Sequence, residues 1–563
     1  MRSILLLAAG LSALAGTSPA AESAGELPVA TPRDLTGPKG GVGLFLTPIP
    51  RPARLETGEG AFELTRRTVV AAGAGAEVEA RKLAAGLGVP TGLDLRLSGG
   101  GETPAIRLEL DRALEPRLGL EGYQLSVTSE RVLIRAAGEA GLFYGGVTFR
   151  QLLPPEIFAA GPAPRPSGGW LAPCVEVEDS PRFPWRGLLL DPARHFLPPE
   201  FIKKFVDVMA LHKLNTLQLH LTDDQGWRLE IRKYPRLTRI GSMRSESPRR
   251  GDRTRGDGTP YGPFFYRQEQ IRDLVAYAQA RHVTLLPEIE IPGHFRAALA
   301  AHPEFSCTGG PFEVRTQWGI EPDILCPGND AAVAFAKEVL AEVCALFPSR
   351  FIHIGGDEAP RDRWKQCPKC QARLQAAGLK TEAQLQTWLN QRLEEFLASQ
   401  GRRLIGWDEI LEGGLTPGAA VMSWRGTAGG LAAAQAGHDV VMSPTTHCYF
   451  DYAQAKGPGE PECIGGFITL DKVHGFDPVP PELAESQRRH LLGVQGNIWG
   501  EFIWTPQDVD YFAFPRAVAL AEVGWSPAPG GSFNDFLRRL ESHSKRLDQA
   551  GVNYRKLQPD TLP

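Results

Sequence analysis

Residues 351–358 read Phe-Ile-His-Ile-Gly-Gly-Asp-Glu, a short apolar run that stops on two glycines and two carboxylates. A run of this length bounded by turn residues reads as a buried strand. The same form recurs on both sides of it. Upstream, residues 185–191, 216–222 and 283–289 are apolar runs leading into Asp191-Pro-Ala-Arg194-His195, Asp223-Asp224-Gln-Gly-Trp227 and Glu288-Ile-Glu290-Ile-Pro-Gly-His294. Downstream, residues 403–407, 420–424, 439–443 and 493–499 repeat the pattern. Their ends carry Trp407-Asp408-Glu409, Trp424-Arg425, Tyr449-Phe-Asp451 and Asn497-Ile-Trp499-Gly-Glu501.

Helical patterns lie between several of these runs. Ile202, Phe205, Val206 and Met209 stand at i, i+3, i+4 and i+7, as do Ile271, Leu274, Val275 and Ala278, and Leu340, Val343, Cys344 and Phe347. That spacing turns one helix face toward a sheet. Eight strand-and-helix units predict an α/β fold, a (β/α)8 TIM barrel, over residues 182–530. A doubly wound open sheet is the alternative, but no glycine-rich phosphate turn follows the first run.

Ahead of the barrel, residues 21–181 read as a small α+β domain. Residues 61–71 and 105–110 look like strands, 123–127 and 132–136 like a hairpin, and 139–153 like a helix. The Pro/Gly-rich stretch 154–169 marks a boundary loop. After the barrel, Phe533, Phe536, Leu537 and Leu540 predict a helix packed on its exterior, in an extension spanning 531–563. Residues 1–20 carry Arg2, an apolar run and Ser18-Pro19-Ala20, the layout of a secretory signal peptide too short to span a bilayer. An exported protein, periplasmic or secreted, is expected.

The chain has 563 residues, of which 42% are hydrophobic and 22% charged, with Lys+Arg 61 against Asp+Glu 65 and a net charge of -4. These are globular proportions, and the balance argues against a nucleic-acid or anionic-membrane partner. The 8 cysteines are spread over a long chain, which is not a disulfide scaffold. Cys307 and Cys326 flank one loop, and Cys367 and Cys370 form a CxxC; export makes a disulfide plausible in each pair. Zinc at the CxxC would need two more ligands, and none stands nearby in the sequence.

In a barrel, the C-terminal strand ends meet at one mouth, where active sites form. Carboxylates and Arg suit the hydroxyl rim of a sugar, and Trp its apolar face. Trp407, Trp424 and Trp499, from three strand ends, are placed to wall a pocket. Adjacent residues in a strand face opposite ways, so Asp357 and Glu358 share a site only where the strand stops, as Gly355-Gly356 allows. Both would then approach from one side. A common retaining glycosidase instead sets an acid and a nucleophile about 5–5.5 Å apart across the bond. One acid with a helper fits better, and a 2-acetamido carbonyl of the substrate can serve as nucleophile.

At this point the chain resembles glycoside hydrolase family 20, the β-hexosaminidases. The motifs are DPARHF, HLTDDQGWRLE, PEIEIPGH, HIGGDE, GWDEI, SWRG and NIWGE, with EAGLFYGGVTFRQLL in the small domain. The resemblance implies an exo-acting, retaining β-N-acetylhexosaminidase working through an oxazolinium intermediate on oligosaccharides or glycoconjugates that end in β-linked N-acetylglucosamine or N-acetylgalactosamine. Chitin fragments are among the substrates it implies. Glu358 would be the general acid and then base, with its pKa raised by burial and by Asp357. Asp357 would hold the acetamido N–H, and Tyr449 its oxygen. Trp407, Trp424 and Trp499 would enclose the methyl group. Arg194, Glu501 and Asp451 would bind hydroxyls, and Asp223 and His294 would tune Glu358. No metal or organic cofactor is implied.

Two rivals stand beside this reading. His195, His220, His294, His353 and Asp357 offer metal-ligand chemistry, though without HxH or HExxH spacing. A sugar-binding barrel without activity is the other, against which the acid Glu358 is present.

Overall fold

The computed structural model describes residues 46–98, 105–528 and 531–557. The expected signal peptide lies outside the described residues, which all belong to one compact unit, Leu44–Pro563. Eight parallel strands form a closed barrel: Trp185–Leu190, Thr216–His220, Thr284–Glu288, Phe351–His353, Arg403–Trp407, Ala420–Ser423, Val440–Met442 and Leu491–Ile498. The last strand returns to pair with the first, Gly493 to Trp185 through Ile498 to Leu190. That closure rules out the open sheet. All eight runs are strands, most of them trimmed by one or two residues. The fourth stops at His353 because Gly355 and Gly356 follow at φ 64° and 93°, where an extended ladder cannot continue.

Both faces of the strands are buried, which is why the runs read as continuously apolar. Inside the barrel, Trp185, Leu189, Leu286, Phe351, Ile405, Trp407, Met422 and Val441 pack together. Outside, helices Pro199–Leu211, Gln268–Gln279 and Asp330–Leu346 turn Ile202, Phe205, Ile271, Leu274, Leu340 and Val343 onto the strands.

The preceding domain is a six-stranded sheet backed by helices Glu77–Thr91 and Glu139–Leu152. The hairpin Tyr123–Val127 with Val132–Ala136 sits in the middle of it. Two expectations need correction. Residues 61–71 are not one strand. Arg54–Glu63 and Val70–Ala72 are separate strands on opposite sheet edges, parted by a turn in which the Thr68 amide donates to the Thr65 carbonyl. Helix Glu77–Thr91 and strand Leu171–Asp179 were not foreseen.

This domain docks on the barrel at the N-terminal strand ends, away from the mouth. Asp179 Oδ2 accepts hydrogen bonds from Lys213 Nζ (2.9 Å), Tyr123 Oη (2.7 Å) and Trp525 Nε1 (2.9 Å). All four residues are buried. Helix Phe533–Gln549 closes the same junction and so touches more than the barrel exterior. Its Arg546 donates to the Gln151 carbonyl at 2.6 Å, while Phe536, Leu537 and Leu540 pack into the barrel's outer core. No described helix is long and apolar enough to cross a membrane.

Candidate active site

The fourth strand end brings Asp357 and Glu358 to one place. Gly355 packs so closely on Glu290 that a Cβ there would meet Glu290 Oε2 at 1.8 Å, so only glycine fits this turn. Glu358 itself has φ 42°, and His294 has φ 48°, a region that non-glycine residues seldom occupy. Strain of this kind persists where surrounding contacts over-determine it, as at functional sites. Both carboxyls face the same imidazole nitrogen: His294 Nε2 lies 3.7 Å from Asp357 Oδ2 and 3.4 Å from Glu358 Oε2.

A chain of buried charges holds that imidazole. His294 Nδ1 lies 3.4 Å from Asp223 Oδ1 and 3.3 Å from Asp224 Oδ2. Asp223 Oδ2 accepts from His220 Nε2 at 2.8 Å and pairs with Arg194 Nη2 at 2.7 Å. Arg194 also binds Asp191 Oδ2 at 3.0 Å and stands 3.9 Å from Glu501 Oε1. Against the penalty of burial, Asp223 and Asp224 push His294 well above the ordinary imidazole range, and Glu288 together with Asp223 pushes His220 up to about 10. Both are therefore cations at neutral pH.

This arrangement corrects one expectation. Glu358 was expected to have a raised pKa, but the His294 hydrogen bond holds it below the usual carboxylate range, and its side chain is 35% exposed. Asp357 takes the upward shift instead, to about 6, first through burial and then through neighbouring carboxylates.

The aromatic residues close the other side. Trp407 and Trp499 have ring centroids 5.7 Å apart, Trp424 stacks on Tyr449 at 6.0 Å, and Tyr449 lies 6.4 Å from Trp499. Each indole is positioned by a neighbour. Trp407 Nε1 donates to Glu288 Oε1 at 2.8 Å, and Trp424 Nε1 to Glu409 Oε2 at 2.9 Å. Tyr449 and Asp451 follow the seventh strand, where the Phe450 amide donates to the Asn497 carbonyl and ties the segment to the eighth strand. Four carboxyls at these strand ends keep a buried oxygen without a hydrogen-bond partner in the protein: Asp357 Oδ1, Asp451 Oδ1, Glu501 Oε2 and both oxygens of Glu290. Hydroxyl or amide donors of a ligand would satisfy the first three.

The structure thus gathers Arg194, Asp223, His294, Asp357, Glu358, Trp407, Trp424, Tyr449, Asp451, Trp499 and Glu501 around one mouth. It also adds residues to which sequence reasoning gave no role. Glu409 is pushed up to about 8 by burial and by Asp357. Glu288 lies beneath the pocket, accepting from His220 Nδ1 at 2.6 Å. Both sit in the quoted motifs, which was the available signal.

A model of the glycosyl hydrolase family 20 catalytic domain matches residues 183–528, and one of the family's domain 2 matches residues 47–180. The chain belongs to glycosyl hydrolase family 20. A beta-hexosaminidase of Porphyromonas gingivalis is 45% identical over 511 residues, 90% of this chain; the chain spans 64% of that relative's length. A beta-N-acetylhexosaminidase of Cellulomonas fimi is 32% identical, covering 90% of this chain and 95% of its own. Among solved structures, the Streptomyces coelicolor beta-N-acetylhexosaminidase superposes with TM-score 0.79 at 32% identity, over 91% of this chain and 98% of that one. The Vibrio harveyi exo beta-N-acetylglucosaminidase, in complex with N-acetylglucosamine, gives TM-score 0.80 at 32% identity, over 90% and 78%.

Proposed function

We propose that this member of family 20 is a retaining, exo-acting β-N-acetylhexosaminidase. It removes terminal β-linked N-acetylglucosamine or N-acetylgalactosamine from oligosaccharides or glycoconjugates, outside the cytoplasm if residues 1–20 are an export signal. The observation that carries this reading is the pairing of Asp357 and Glu358 on one strand end, both within 4 Å of the same His294 nitrogen. Two carboxyls on one side supply an acid and a helper, and the nucleophile comes from the substrate.

In the first step, Glu358 gives its proton to the glycosidic oxygen as the C1–O bond breaks. The bonding pair leaves with that oxygen, and a lone pair of the acetamido carbonyl oxygen closes on C1, forming an oxazolinium ion. Asp357, ionised, accepts the acetamido N–H and offsets the positive charge. Tyr449 donates its hydroxyl hydrogen to the carbonyl oxygen, and the cage of Trp407, Trp424 and Trp499 encloses the methyl. A water then attacks C1, giving its proton to Glu358, as the bond from C1 to the acetamido oxygen opens and restores the carbonyl. Arg194 holds O3 and O4, Glu501 reaches O4 and Asp451 reaches O6; Asp223 and His294 set the protonation of Glu358. Tethering the nucleophile removes the entropy cost of a bimolecular step.

The test is a rate panel on aryl β-glycosides that differ at C2 and C4, with the first-formed anomer followed by NMR. The 2-acetamido sugars should turn over with retention, and 2-hydroxy sugars should scarcely react. An inverted first product, or equal rates on both classes, defeats the reading.

A further inference from the structure

We infer that Cys307, Cys326, Cys367 and Cys370 form a tetrahedral site for one structural zinc ion that pins together the loops following the third and fourth barrel strands. The sequence suggested two local disulfides, Cys307 with Cys326 and Cys367 with Cys370. In the structure all four cysteines are free, and their sulfurs form a single cluster with every ligand atom within 4.8 Å of the others. Cys326 Sγ lies 3.4 Å from Cys370 Sγ and 3.8 Å from Cys367 Sγ, and Cys307 Sγ lies 3.7 Å from Cys370 Sγ.

These separations decide between the two chemistries. A disulfide brings one pair of sulfurs to about 2.05 Å and leaves that pair distinct from the rest. Four thiolates at about 2.3 Å from a central zinc have sulfur–sulfur edges of about 3.8 Å, with no pair distinguished. The cluster has the second geometry. The two ligands missing from the CxxC thus arrive from the preceding loop, Cys326 lying 41 residues before Cys367 and Cys307 63 before Cys370, out of reach of any local motif.

The surroundings fit a bound thiolate set. The Gly328 amide is directed at the sulfurs of Cys326 and Cys370, and amide donors of this kind stabilise metal-bound thiolates. A Cβ on Gly328 would meet the Cys370 nitrogen at 2.3 Å, so the two halves approach as closely as glycine permits. Ile324, Trp364 and Leu385 wrap the cluster in apolar surface, and three of the four cysteines are buried. With four protein ligands no position stays open, which marks a structural site. Four sulfurs select zinc over hard-ligand metals such as magnesium or calcium. The upstream loop follows His294, and Cys367 lies nine residues after Glu358, so the ion would brace both segments that present the acid and its imidazole partner.

Zinc content of the full-length protein, purified without chelator, should be about one ion per chain. Cys367→Ser with Cys370→Ser should bring it close to zero and lower Tm, while Cys174→Ser should retain the metal. If the double variant fails to fold, the intact protein still decides. Denaturing it with a chelator and a thiol-alkylating reagent, without reductant, should release zinc and alkylate all 8 cysteines. Absence of zinc, iron in its place, or cluster cysteines protected as disulfides would each overturn the assignment.

Discussion

His294 Nε2 stands 3.4 Å from Glu358 Oε2 while its Nδ1 stands 3.4 Å from Asp223 Oδ1, so one imidazole links the acid to the buried charge chain below it. Asp223 keeps the ring protonated, and the protonated ring keeps Glu358 ionised in the free enzyme. The donor must hold its proton while Asp357 has lost its own, so the lower pKa, that of Glu358, sets the acid limb: kcat/KM should fall as pH drops below it. His294→Asn removes the cation and lets that pKa rise. The acid limb of kcat/KM should move to higher pH, and kcat should drop roughly tenfold, the scale of one hydrogen bond to a charged group. An unmoved limb would separate His294 from the acid.

Glu358→Gln keeps the shape of the site but has no proton to give. Turnover should fall by about 10²–10⁴-fold, the usual contribution of a general acid. Binding of N-acetylglucosamine, followed by calorimetry, should persist. Unchanged turnover would remove Glu358 from the mechanism.

Asp357 works as an anion but is buried, which pushes it up to about 6. The active form, Glu358 protonated and Asp357 ionised, runs against this order of titration, so the limb near 6 is the alkaline one: kcat/KM should fall as pH rises through about 6, and Asp357→Asn should abolish that limb together with most of the rate on 2-acetamido substrates. Stability responds in the same direction. A carboxyl raised from 3.8 contributes stability that is complete below 3.8 and lost as pH rises to about 6. At pH 7.5 the Asn variant should melt at or above the temperature of the native chain. A lower Tm at that pH would contradict the assigned cost.

Far from the mouth, Lys213→Met should destabilise without touching catalysis. It leaves Asp179 charged and buried, with its cation gone. Breaking such a pair from one side costs about 3–5 kcal/mol. Urea unfolding should report that loss, and kcat of the folded protein should be unchanged.

How far the sequence carried depended on how local each cause was. The eight barrel strands were legible because burial on both faces makes them apolar throughout and because Gly, Pro, Asp or Trp stops each one. Helix Glu77–Thr91 was not, since Gly86, Gly88 and Pro90 interrupt its pattern. Strand Leu171–Asp179 was hidden behind the Pro/Gly-rich stretch ahead of it. The mouth residues could be named from strand ends, yet the direction in which His294 shifts Glu358 could not, because it depends on the buried carboxylates that charge the ring and on the distances between them. The role of Glu288 was invisible for a similar reason: its partners His220, His353 and Trp407 come from three other strands. The cysteine cluster joins two loops, so its parts read separately as a pair and a CxxC.

The nucleophile itself is tested by substrates whose acetamido carbonyl is progressively weakened, the N-acetyl, N-fluoroacetyl, N-difluoroacetyl and N-trifluoroacetyl aryl glycosides. If that oxygen attacks C1, log kcat/KM should decline steeply and steadily along the series. A flat series, with a sugar ester found on an enzyme carboxylate in protein quenched during turnover, would contradict the account.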